Sequence, residues 1–137
     1  MERLRTLVED SRASTSESAR DAMLTRIAAL WDQEIEWDAS ELPLPDLGGV
    51  VRGREAVART WKEFLAAWET MRFDYELVDA GDRVVLLLDQ RMRGRSTGIE
   101  MALGMNAHVI TFRDRLIIRW KLYKSRSDAF EAEGLRE

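Results

Sequence analysis

The chain contains no cysteine and only one histidine, His108. The first absence removes disulfides, thiolate nucleophiles and thiolate metal sites together. With a single imidazole as well, a zinc site of the ordinary kind lacks its donors, so any metal would have to be held by carboxylates alone. Long apolar runs are missing too. The longest aliphatic stretch, VVLLL at 84–88, is far shorter than a bilayer span, and the opening MERLRTLVEDSR is charged throughout instead of carrying the apolar centre of a leader peptide. The expectation is a soluble, cytoplasmic protein without a membrane partner. Both prolines fall in one segment, ASELPLPDLGGVVRG at 39–53, which reads as a loop laid over the domain.

What remains is an ordinary globular composition, 45% hydrophobic and 34% charged over 137 residues, enough for one domain with one core, so a single domain over 1–137 is expected. A net charge of −4 does not favour nucleic acid as a partner. The basic residues Arg113, Arg115, Arg119, Lys121, Lys124 and Arg126 read instead as a solvated or pairing face.

The apolar residues have a helical period early and a strand period late. Leu4, Leu7 and Val8 start a short helical pattern, and the serines of SRASTSES offer caps for the next. From about 18 to 31, Ala19, Ala22, Met23, Ile27, Leu30 and Trp31 form an amphipathic stripe. EIEWD alternates, with Ile35 and Trp37 on one side and Glu34, Glu36 and Asp38 on the other. Between Arg54 and Met71 the residues Val57, Trp61, Phe64, Leu65 and Trp68 predict a second helix. Phe73, Tyr75 and Leu77 then alternate, AGDR turns, and VVLLLDQRMRGR, GIEMALGMNAHVITF and LIIRWKLYK follow as strands. A bulge is expected near Gly104 and a charged turn at RDR. A last helix, SDAFEAEGL, is expected to start at a Ser127 cap and stop at Gly134. Helices followed by an antiparallel meander give an α+β class.

The segments DQEIEWDAS at 32–40, LPDLGGVVRGREAV at 44–57, AGDRVVLLLDQRMRGRSTG at 80–98, AHVITFRDRLIIRW at 107–120 and the tail DAFEAEGL resemble the SnoaL-like branch of the nuclear transport factor 2-like superfamily. That superfamily includes ketosteroid isomerases and limonene epoxide hydrolases. The resemblance runs from about Ala19 to Leu135, and residues 1–17 are less typical. It implies a strongly curved, mixed or antiparallel sheet wrapped around helices, a cone or cystatin-like α+β barrel. The mouth of such a cone accepts a small, mostly apolar molecule, and two copies pair through the outer sheet face. Isomerases, hydrolases, cyclases and binding proteins share this fold, so the site must decide the activity.

In ketosteroid isomerases a carboxylate removes a proton beside a carbonyl, and a tyrosine with a protonated aspartic acid forms the oxyanion hole. The resemblance lays Asp38 at or next to the base position and His108 on the acid of the hole. The tyrosine has no counterpart in the early helices. Asp89 and Arg91 share a strand face, as part of a hydrolase constellation would. The second acid of that constellation, in a region where cyclases also use one, is replaced by Leu122. Each residue also has a structural reading: His108 as a hydrogen-bonded core side chain, Asp89 with Arg91 as an ion pair, Asp38 as a solvated charge.

Trp37, Trp61, Phe64, Trp68, Trp120 and Leu122, with Met92, Met101 and Met105, are candidates to line the pocket. Glu34, Glu36 and Asp38 read as solvated strand charges in preference to a metal site. Arg52 and Arg54 read as part of a turn and helix start in preference to an anion site. No cofactor and no metal are expected. Three functions stay open: binding of a small molecule, proton-transfer chemistry of isomerase or cyclase type with Asp38 as base and His108 as donor, and a ligand-free assembly module.

Overall fold

The structure, a computed structural model, describes residues 17–42 and 49–135. The expected helical pattern at residues 1–13 and most of the serine cluster lie outside them, as do both prolines. Three helices and six strands follow in the order α1 (Glu17–Ala28), β1 (Trp31–Asp38), β2 (Val50–Arg52), α2 (Arg54–Ala66), β3 (Trp68–Ala80), β4 (Arg83–Gly94), β5 (Glu100–Arg113), β6 (Leu116–Tyr123) and α3 (Arg126–Glu133). The strands form one sheet in the order β2-β1-β6-β5-β4-β3. All neighbours run antiparallel except β1 and β6, which are parallel and set Trp37 beside Trp120. The sheet is therefore mixed, and it curls into a half-barrel with α1 and α2 against its concave face.

Irregular register marks where it bends. Gln90 pairs with Gly104 but Arg91 with Ala102, so Leu103 is the extra residue of a bulge beside the expected Gly104. A second shift lies between Thr111 and Phe112, opposite Ile118. The run VVLLL is apolar throughout because both faces are covered. Val84, Leu86 and Leu88 join the core under the helices, while Val85 and Leu87 pack with Ala107, Val109 and Tyr123 beneath Ala129 and Phe130 of α3.

Element ends differ from the sequence reading at three places. α1 stops at Ala28, and Leu30 and Trp31 turn away so that Trp31 opens β1 opposite Ile117. α2 stops at Ala66, and Trp68 opens β3. The buried Arg20, 4% exposed, reaches across from α1 and donates to the carbonyls of Leu65 (3.1 Å), Trp68 (2.5 Å) and Glu69 (2.5 Å), satisfying groups that the helix end leaves over. The cap of α3 is Ser125, not Ser127: its hydroxyl accepts from the Asp128 amide at 3.1 Å, and Gly134 closes the helix in the left-handed region.

The turn between β5 and β6 places Asp114 at φ 53° and Arg115 at φ 70°. Two left-handed residues are what a two-residue turn between twisted strands demands, and glycine meets the demand without a Cβ clash. Arg115→Gly is therefore expected to raise stability by about 0.5–1 kcal/mol, seen as a higher urea midpoint at unchanged slope. No helix among the described residues is long and apolar enough to cross a membrane.

Candidate functional site

Alternation on the strands decides which side chains meet under the helices. Trp37 of β1, Leu86, Leu88 and Gln90 of β4, Asn106 and His108 of β5, and Trp120 and Leu122 of β6 point to the concave face. There they enclose, with Met23 and Ile27 of α1 and Trp61 and Phe64 of α2, a cavity of about 120 Å³. Met71 and Phe73 close it on the β3 side. One wall is a tryptophan cluster. The Trp61 ring stands 5.6 Å from Trp31, 5.2 Å from Trp37 and 5.3 Å from Trp120, each pair edge to face, the arrangement favoured by the ring quadrupole.

The polar part of the lining is small and neutral. The Trp120 indole Nε1–H donates to His108 Nδ1 at 2.9 Å. An acceptor at Nδ1 places the ring proton on Nε2, so a neutral His108 presents an N–H. Burial drives the His108 pKa down to about 3, which keeps the ring uncharged near neutral pH. Two residues earlier on the same face, Asn106 donates from Nδ2 to Gln90 Oε1 at 3.1 Å, and its own Oδ1 is buried without a hydrogen-bond partner.

Asp38 is not in this cavity. It follows Trp37 on β1, so its carboxylate emerges on the convex face, where it accepts from the Ser40 amide (3.0 Å) and hydroxyl (2.6 Å) and lies 3.6 Å from Lys121 Nζ. Burial alone pushes its carboxyl up, but Ser40 and Lys121 together hold it below the usual carboxylate range. The sheet thus separates the two residues expected to act together as base and donor. Asp89 and Arg91 do share a face, as expected, but it is the convex one, opposite Asp74 and Arg72 of β3, whereas Leu88 and Gln90 face the cavity. The same alternation keeps that pair out of the cavity.

Of the expected lining residues, Trp37, Trp61, Phe64, Trp120 and Leu122 meet at the cavity. Three do not. Trp68 packs on Phe64 with ring centres 5.9 Å apart at the start of β3, Met92 is fully buried opposite Met71 beyond the bulge, and Met105 is 57% exposed on the convex side. The side chain of Met101 lies outside what the structure describes. Gln90 and Asn106 were missed by the sequence reading, although their spacing from Leu88 and His108 puts them on the same face.

Four of the charges weighed as metal or anion ligands, Glu36, Asp38, Arg52 and Arg54, have protein partners. Glu36 binds Arg52 at 3.0 Å and Arg119 at 3.5 Å, and Arg54 donates to the Trp31 carbonyl. On the convex face Glu133 accepts from the Tyr123 hydroxyl at 2.5 Å and lies 3.4 Å from both Arg83 and Arg119, tying α3 to the sheet.

Several solved structures share this architecture at low identity. A nuclear transport factor 2-like protein of unknown function from Burkholderia pseudomallei has a TM-score of 0.67 at 18% identity, with 96% of this chain and 97% of that one covered. TerC co-crystallised with polyporic acid has a TM-score of 0.65 at 22% identity, with coverages of 93% and 94%. A protein of ketosteroid isomerase-like fold from Catenulispora acidiphila, in complex with trimethylamine, has a TM-score of 0.65 at 17% identity, with coverages of 95% and 93%. No curated protein matches the sequence. The family model of the SnoaL-like domain matches residues 14–120, and with the half-barrel it describes now in place, the chain belongs to the SnoaL-like family.

Proposed function

We propose that this protein binds a small, neutral, largely apolar molecule in the cone cavity and performs no acid–base chemistry there. The observation that carries the reading is the character of the lining: aromatic and aliphatic walls with three neutral polar side chains, Gln90, Asn106 and His108, and no carboxylate among the described lining residues. Proton abstraction needs a base within reach of the substrate. His108 has its Nδ1 lone pair engaged by Trp120 and a pKa of about 3, so it serves as donor and not as base. A packed scaffold would have filled the space with its own side chains. Instead the volume of about 120 Å³ is close to that of an engineered apolar cavity of ~150 Å³ that takes up benzene. The ligand is accordingly about one ring in size.

Tryptophan emission tests it, since Trp37, Trp61 and Trp120 all border the cavity. Titration with para-substituted monocyclic aromatics is expected to give a saturable change in emission and a raised melting temperature. Emission and melting temperature unmoved up to the solubility limit of every probe would remove the reading.

A further inference from the structure

We infer that the cavity recognises its ligand at two points of opposite polarity, a donor at His108 and an acceptor at Asn106, and therefore selects a one-ring molecule carrying both a carbonyl oxygen and a hydroxyl or N–H group. The inference rests on the binding function proposed above and specifies its ligand.

Both anchors are more than nine-tenths buried, His108 at 7% and Asn106 at 5% exposure, and both line the cavity. Each is locked by a neighbour that leaves one group over. Trp120 occupies Nδ1 of His108, so the imidazole turns an N–H, and not a lone pair, toward a ligand. Trp120 is thus a positioning residue: it decides the polarity of an atom it does not itself present. Gln90 in turn takes the Asn106 Nδ2 donor and leaves Oδ1 buried and unpartnered. A buried acceptor without a partner is costly, and a ligand donor placed there recovers that cost.

The spacing sets the ligand's shape. Asn106 and His108 stand two residues apart on one face of β5, so their Cα atoms are separated by roughly 6.6–6.8 Å. That is about the distance between polar atoms at opposite ends of a para-substituted ring. A carboxylate finds no positive side chain among the described lining residues, so anions are selected against.

Four nearly isosteric probes separate this from simple apolar uptake: para-ethyltoluene with neither group, para-methylacetophenone with the ketone alone, para-ethylphenol with the hydroxyl alone, and para-hydroxyacetophenone with both. Binding to the wild-type protein is read by tryptophan emission at mildly acidic to neutral pH, where the phenols are uncharged. Each hydrogen bond is expected to tighten binding by about 5-fold, and para-hydroxyacetophenone should bind about 25-fold more tightly than para-ethyltoluene. If all four bind within about 2-fold of one another, the cavity binds but does not read polarity, and the inference is overturned while the proposed function stands. If none binds, both fall together.

Two variants assign the points. Asn106→Leu should erase the advantage of the hydroxyl and keep that of the ketone. Trp120→Phe should reduce the advantage of the ketone, because only the Nε2–H share of a mixed tautomer population can donate to it. Because His108 is the only histidine, nitrogen NMR of the imidazole reads its tautomer without assignment. The wild type should show a single Nε2–H form and Trp120→Phe a mixture, a change that loss of packing alone would not produce. An Nδ1–H form in the wild type would overturn the inference.

Discussion

Trp120→Ala is expected to destabilise the protein by about 4 kcal/mol, among the largest losses from any single substitution in this chain. The side chain is 2% exposed and touches three aromatic neighbours, with ring centres 5.3 Å from Trp61, 5.9 Å from Trp37 and 6.1 Å from His108. Truncation therefore opens a void in the cluster and also strips His108 Nδ1 of the hydrogen bond donated by the indole. Trp120→Phe separates the two contributions. It retains most of the aromatic body but leaves a buried acceptor unpaired, which should cost about 1–3 kcal/mol. Equilibrium urea unfolding of both variants measures the split. Were Trp120→Phe to lose less than about 0.5 kcal/mol, the indole–imidazole bond would contribute nothing and His108 would be free to choose its tautomer. The two costs need not sum, because the same ring supplies the packing and the donor.

The placement of Asp38 marks how far the sequence could be read. The alternation in EIEWD put Trp37 on one face and Asp38 on the other, and the structure keeps that separation, with Trp37 at the cavity and Asp38 on Lys121. Resemblance to isomerases pulled Asp38 into the site against this pattern, and strand geometry prevails because successive side chains cannot share a face. The inward set of Trp37, Trp120 and Leu122 was legible from the same alternation, whereas the family and the curled sheet were legible from the resemblance of the motifs.

Periodicity fails where it is ambiguous or interrupted. Leu30, Trp31 and Trp68 fit a helical stripe as well as a strand start, so α1 and α2 were drawn too long. Across the β5 bulge the pairing moves from Met105 with Asp89 to Met101 with Met92. That is four residues on β5 but three on β4, so parity cannot be counted through it. Arg20 could not be assigned a role from its own segment. The carbonyls it satisfies lie 45 to 49 residues away and come together only once α2 has turned into β3.

Acid should destabilise this protein through His108. The ring's pKa falls from 6.5 to about 3 in the folded state because burial disfavours the imidazolium, whereas the unfolded chain takes up the proton near 6.5. A base with a depressed folded pKa gives stability that is complete above 6.5 and is lost as pH falls toward 3. At 1.36 kcal/mol per pH unit the loss between pH 6.5 and pH 4 is about 3 kcal/mol. Asp38, held below 3.8, acts in the same direction but only at lower pH, so it does not confuse this window. His108→Leu removes the titrating group at the cost of the Trp120 bond. It should be less stable than wild type at pH 7, yet lose about 3 kcal/mol less between pH 6.5 and 4, so that the two stability curves converge in acid. Urea unfolding at pH 7, 6, 5 and 4 gives both curves. Parallel curves would mean that the folded state protonates His108 as readily as the unfolded chain, and the neutral N–H donor on which the binding site depends would be lost in mild acid.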